Sequence, residues 1–181
     1  MPVPESGVEQ GGAGPIGFPG PTLGIDPGTA ICGYGLVVEE GTELRLLAYG
    51  TIVTRPQQPM AERLRHIYLE LRDLIARYDP ADVAVEELFF NKNVRTALQV
   101  GQARGVILLA AAQHDLPVAE YTPLQVKQAI VGYGRAEKRQ VQEMVRLILR
   151  MPEIPRPDDA ADALAVAICH AHARKITGRL T

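Results

Sequence analysis

The stretch TLGIDPGTAICGYGLVVEEGTELRLLAYGTIV, residues 22–53, decides the fold. TLGID is a short apolar strand that ends on a carboxylate, and Pro27-Gly28-Thr29 is a tight turn. GYGLVVEE, residues 33–40, reads as a second strand whose glycines allow close backbone approach. After the Glu40-Gly41-Thr42 turn, ELRLLAYGTIV at 43–53 continues the pattern, so three consecutive antiparallel strands are expected. From Met60 to Tyr78 the apolar residues Leu64, Ile67, Tyr68, Leu71, Leu74 and Ile75 recur at intervals of three and four, which predicts a helix. Asp79-Pro80 stops it, and DVAVE at 82–86 reads as a buried strand of the kind found in parallel sheets.

Further along, Val94 to His114 predicts a long helix that is apolar or small on nearly every side, more than one buried stripe requires. Its excess can be covered by the sheet together with a second subunit or a second helix layer. LPVAEYTP gives one more strand, Leu124 to Val131 a short helix and Glu137 to Leu149 another. RMPEIPRPD is a Pro-rich connector, with Pro157 at the start of a last helix, Ala160 to Lys175. Strands first, then strands alternating with helices, define an α/β domain with a mixed sheet. The chain has 181 residues, enough for about one domain of roughly 150. That domain is placed at 22–176, after a Gly/Pro-rich tail over 1–21 read as disordered and before a short flexible end at 177–181.

No apolar run approaches the roughly 18–20 residues of a membrane span, and MPVPESGVEQ lacks the features of a signal peptide, so a cytoplasmic protein is expected. The two cysteines, Cys32 and Cys169, are too far apart for a zinc spacing and are read as reduced, buried thiols. The net charge of −2 hides a division along the chain. Residues 1–90 carry six basic side chains against thirteen acidic ones, whereas 91–150 carry nine against four. An acidic half beside a basic half suits a metal-dependent enzyme acting on a polyanion, although ordinary solvated helix faces would produce the same count.

Three places put acid where solubility does not ask for it. Asp26 ends the first strand, and Glu86 or its neighbour Glu87 ends the DVAVE strand, where alternation sends one inward and one outward. Asp159 and Asp162 are three apart on one helix face in the apolar text AADALAVAI. Asp26 taken alone suits a turn, and Asp158 or Asp159 suits a helix cap, but Asp162 lies a turn inside the helix and caps nothing. These segments hold no obvious basic partner, so a bound cation is the economical solution. Oxygen ligands alone favour a hard ion, Mg²⁺ or Mn²⁺, and two such ions can drive phosphodiester hydrolysis. His66, His114, His170 and His172 read as surface or capping residues. The glycines at 24, 28, 33 and 35 match neither GxGxxG before a helix nor GxxxxGK[ST].

LGIDPGT at 23–29, VEELFFNKN at 85–93, VGQARG at 100–105, QVKQAIVGYGRAEKRQVQEMV at 125–145 and DAADALAVAICHAH at 159–172, in that order, closely resemble the RuvC family of Holliday junction endodeoxyribonucleases. The resemblance runs from about Thr22 to Arg174. It implies a ribonuclease H-like fold, a mixed five-stranded sheet flanked by helices. It also implies a homodimer that nicks two opposing strands of a four-way DNA junction symmetrically, in recombination and repair. Divalent ions, two per site, and the branch-migration proteins RuvA and RuvB are implied as cofactor and partners. Carried over by position, the family's acidic ligands fall on Asp26, Glu86, Asp159 and Asp162, which leaves Glu87 outside the metal shell. The family's junction-stacking aromatic falls on Phe89, and its DNA-contacting lysines fall on Lys127 and Lys138. The Val94 helix becomes part of the dimer interface, and the N-terminal tail departs from the family pattern. A binding module without cleavage, an actin-like or sugar-kinase phosphotransferase and a nuclease acting on RNA are the rival readings. The second of these needs a further related domain that this chain has no room for.

Overall fold

The structure, a computed structural model, describes residues 20–87 and 93–178, with the side chains of 176–178 left aside. Three strands lead: β1 (Thr22–Asp26), β2 (Ile31–Glu40) and β3 (Glu43–Val53). They are followed by α1 (Met60–Tyr78), β4 (Asp82–Glu86), α2 (Val94–Gln113), β5 (Val118–Tyr121), α3 (Pro123–Val131), α4 (Lys138–Ile148) and α5 (Asp158–Gly178). The sheet order is β3-β2-β1-β4-β5, antiparallel across the first three strands and parallel from β1 through β4 to β5. The mixed five-stranded sheet expected from the sequence is therefore present.

Pleat parity divides the strands between two cores. Leu23, Ile25, Leu36, Val83 and Val85 face α1 and α2, where they meet Ile67, Leu71, Ala103 and Ile107. Val37 and Ala84 face the other way, into a cluster built on Val126, Val145, Leu164 and Ile168 of α3, α4 and α5. The product is three layers with a helix layer on each side of the sheet. Cys32 and Cys169 are buried, as the sequence suggests.

The helix ends depart in small ways from the sequence reading. Thr122 and Gln125 form a capping box at the start of α3, and Glu137 and Gln140 form one at α4. Asn93 caps α2 by accepting from the Arg95 and Thr96 N–H groups. α5 begins two residues before the expected Ala160 and continues to Gly178, beyond Lys175 and into the end segment read as flexible. At the other end, Pro21 falls in the expected tail, yet its carbonyl accepts from the Ala81 N–H at 2.8 Å, so ordered packing precedes β1.

α5 lies directly on β1 and β2 because glycines face it. A Cβ built on Gly33 would stand 2.0 Å from the Asp159 carbonyl oxygen, and one on Gly24 would stand 2.2 Å from that of Ala163. Only glycine permits this approach, and Ala163 and Ala167 complete it from the helix side. Gly33→Ala is expected to force α5 away from β2 and to cost about 1–3 kcal/mol, as overpacking a dense core does. Chemical denaturation checks this, and an unchanged midpoint would mean that the helix has slack the structure does not show.

Candidate active site

Asp26 and Glu86 end adjacent parallel strands, and parity turns both toward α5. Glu87 follows the strand, is exposed, and uses its backbone N–H on the Tyr121 carbonyl at 2.8 Å. Alternation gives the physical reason for the choice that the family resemblance implies, with Glu86 inward. Asp159 and Asp162 occupy the first turns of α5, set over the same strand ends by the Gly33 contact. Asp26 is hydrogen-bonded to Glu86 and feels the charges of Glu86, Asp162 and Asp159, so the four expected carboxylates share one neighbourhood.

Their electrostatics are strained in one direction. The residues keep part of their surface, but burial of the carboxyl group is the largest influence on each of the three that shift. Burial, then the charges of Glu86 and Asp162, push Asp26 up to about 8. Burial also raises Glu86 and Asp162, although Lys138 opposes the rise at both. Burial first, and then the repulsion of like charges this close, resists joint ionisation of Asp26 and Glu86.

Lys138 corrects one expectation. The sequence shows no obvious basic partner for the acidic segments, yet Lys138 Nζ lies 3.0 Å from Asp162 Oδ2 and 3.4 Å from Asp158 Oδ2. The partner comes from another helix, 24 residues away. Lys138 is the first residue of α4, the end at which the helix dipole disfavours a cation. Burial also works against its ammonium, but Asp162 and Asp158 outweigh it and raise the lysine. Lys138 and Lys127 line a cleft of about 210 Å³ with Glu86 and Asp162, over an apolar floor that includes Val126 and Val141. Both lysines read as DNA contacts therefore stand beside the carboxylates. Phe89 lies outside the described residues.

Among the described residues, no three His, Cys, Asp or Glu side chains stand grouped as a formed metal shell. The donor set nevertheless fits a hard cation, because it is made of carboxylate oxygens carrying more negative charge than one lysine offsets. The Lys138 ammonium, 3.0 Å from Asp162 Oδ2, supplies part of the positive charge that such an ion would bring.

Sequence reasoning missed a second ionic cluster on the same sheet face. Asp82 accepts from Thr22 Oγ1 at 2.7 Å and Arg174 Nη1 at 2.5 Å, with His170 Nε2 at 3.2 Å. Arg174 also reaches Glu39 at 3.1 Å, and His170 Nδ1 meets the Tyr121 hydroxyl at 2.8 Å. His170 is therefore part of a buried network and not the surface residue expected. Burial opposes ionisation of Asp82, but the His170, Thr22 and Arg174 contacts win and lower it, the reverse of the shift at Asp26.

A mixed sheet with helices on both faces and acids at the ends of its central strands is a ribonuclease H-like resolvase fold. The model of the family "Crossover junction endodeoxyribonuclease RuvC" matches residues 22–170, and the chain belongs to that family. A Heliobacterium modesticaldum crossover junction endodeoxyribonuclease RuvC is 66% identical over 150 residues, covering 83% of this chain and 93% of the relative. A Roseiflexus counterpart is 62% identical over 159 residues, covering 88% and 95%. Thermus thermophilus RuvC, solved in complex with a Holliday junction substrate, superposes with a TM-score of 0.84 at 42% identity, covering 87% of this chain and 96% of that one. The protein is thus a crossover junction endodeoxyribonuclease that resolves Holliday junctions in recombination and repair, and it shares the family's general dependence on divalent metal.

The raised carboxylates fix the sign of a pH effect in the metal-free protein. Between the ordinary carboxylate range and about 8, the folded state holds a proton on Asp26 that the unfolded state has released, so stability falls as pH rises through that window. Burial lowers His172, which acts oppositely near its ordinary value, so the informative quantity is a difference between proteins. In EDTA, the fall in melting temperature from pH 5 to pH 8 is expected to be shallower in Asp26→Asn than in the parent. Identical slopes would mean that Asp26 is charged throughout.

Proposed function

We propose that Asp26, Glu86, Asp159 and Asp162 hold two divalent ions, Mg²⁺ or Mn²⁺, and form the cutting centre of the junction endonuclease. The observation that carries this reading is the set of half-buried, mutually repelling carboxylates gathered at the ends of β1 and β4, next to a cleft lined by two lysines. Such ions supply an activated water and stabilise the departing oxygen of the phosphodiester. The chain's own residues perform the rest. The four carboxylates orient the site, and the rigid seat of α5 on Gly24 and Gly33 keeps their spacing fixed. Lys127 and Lys138, which line the cleft, draw in and position the backbone phosphates. Water attack in line with the 3′ oxygen leaves a 5′-phosphate and a 3′-hydroxyl, ends that a ligase can seal. Phe89 stacks on an unpaired base at the crossover.

The protein works as a homodimer, so that two equivalent centres meet two equivalent strands of a two-fold junction. Support comes from the outward face of α2, where Val94, Leu98 and Leu109 are 72%, 65% and 52% exposed. Gly105 falls on the same face at helical spacing, and a Cβ there would meet nothing within 4 Å, which leaves room for close packing by a second helix. The RuvA and RuvB branch-migration proteins are its partners on the junction, and the cytoplasm is its place of action. Among the described residues, no helix is long and apolar enough to cross a membrane.

A mobile four-way junction, a linear duplex of the same sequence and an RNA–DNA hybrid, each incubated with Mg²⁺, Mn²⁺ or EDTA, test the reading. Paired nicks on opposing strands of the junction, only with metal, are expected. Asp162→Asn is expected to lower the rate by at least about a hundredfold while preserving junction binding, because the amide removes ligand charge and leaves the DNA surface intact. Loss of binding along with cleavage would assign Asp162 to the fold instead. Lys127→Ala is expected to weaken junction binding and to reduce the slope of log affinity against log salt by about one. An unchanged slope would remove Lys127 from the phosphate contacts.

A further inference from the structure

Asp158 is an acidic residue at the site that is not one of the four proposed metal ligands. It opens α5 immediately before Asp159. Its Oδ1 accepts from Gln142 Nε2 at 3.0 Å and from Arg156 Nη1 at 2.6 Å, while its Oδ2 lies 3.4 Å from Lys138 Nζ. The same ammonium donates to Asp162 Oδ2 at 3.0 Å. Lys138 thus stands between two carboxylates, bonded to one and only slightly further from the other.

The two carboxylates are held differently. Asp158 is anchored from two directions, by Gln142, which is 5% exposed, and by the Arg156 guanidinium. Asp162 looks toward Glu86 and Asp26, where negative charge is in excess. A divalent cation drawn to Asp162 would repel an ammonium bonded to the same carboxylate. Lys138 then needs a second acceptor close by, or it must leave the cleft for solvent.

We propose that Asp158 is a positioning residue which, fixed by Gln142 and Arg156, takes the Lys138 ammonium over from Asp162 when a divalent cation occupies the carboxylate cluster. The exchange moves no covalent bond and transfers no proton. Lys138 stays in the lining of the cleft with its charge compensated, instead of competing with the ion. The inference rests on the metal reading of the four carboxylates.

Mn²⁺ binding to the full chain, measured by calorimetry without DNA at constant ionic strength, tests it directly. Asp158→Asn keeps an acceptor for Gln142 and a good residue for a helix start, so the fold survives the change. With Lys138 present, Asp158→Asn is expected to weaken Mn²⁺ binding about threefold to tenfold, and in the Lys138→Met background by less than about twofold, a coupling typical of contacting residues. Lys138→Met alone is expected to tighten binding, since the competing ammonium is gone. Equal factors in both backgrounds would show Asp158 acting by its charge alone and would overturn the proposal, as would no effect of Asp158→Asn. Asp162→Asn separates the two levels. If it leaves Mn²⁺ affinity unchanged, the metal reading itself fails; if it abolishes binding while the coupling is absent, only the Asp158 inference fails.

Discussion

The backbone-to-backbone approach of α5 to β1 and β2 is the constraint on which the site depends. Glycines at 24 and 33 remove the side chains that would hold the helix off, and the helix answers with Ala163 and Ala167. A 21-residue helix is roughly 30 Å long, so α5 spans the sheet from one end of the central strands to the other. Its first turns bring Asp159 and Asp162 over the carboxyl ends of β1 and β4, and its last turns bring His170 and Arg174 over their starts. Strand parity does the complementary work, because Asp26, Glu86, Thr22 and Asp82 all lie on the face that α5 covers.

One sheet face therefore carries two acidic clusters with opposite outcomes. At the strand starts, Asp82 and Glu39 are met by Arg174, His170 and Lys175, and the carboxylate of Asp82 is held in its charged form. At the strand ends, Asp26, Glu86 and Asp162 are all pushed toward their protonated forms by burial. Lys138 reaches them through Asp162, and the charge of Lys127 also acts on Glu86. This contrast between the two ends of one helix is what supports the proposed divalent-ion site at the strand ends. Burying unpaired charge is otherwise among the costliest arrangements a fold can hold.

The elements were legible in the sequence because each has one dominant signal. The three leading strands follow from alternation and turn residues, and α1 follows from a period of three to four that ends at Asp79, in the left-handed conformation at the helix end. The acids at 26, 86, 159 and 162 stood out against apolar text. Pairings between distant segments were not legible, since nothing local ties Lys138 to Asp162 or Arg174 to Asp82 across 92 residues. The choice between Glu86 and Glu87 required strand phase. The resemblance supplied it in advance and the pleat gives its physical reason. His170 looked like a surface residue because its partners Asp82 and Tyr121 belong to two different strands. Asp158 suits a helix cap by sequence alone, and nothing local shows that Gln142, Arg156 and Lys138 gather around it.

The proposed role of the under-compensated carboxylates is to seat divalent ions. Anomalous diffraction from crystals soaked in Mn²⁺ tests it most directly. Peaks between Asp26, Glu86, Asp159 and Asp162, with Lys138 drawn away from Asp162, are the predicted result. A difference map with no anomalous density at that cluster, or with manganese bound only elsewhere on the surface, would contradict it.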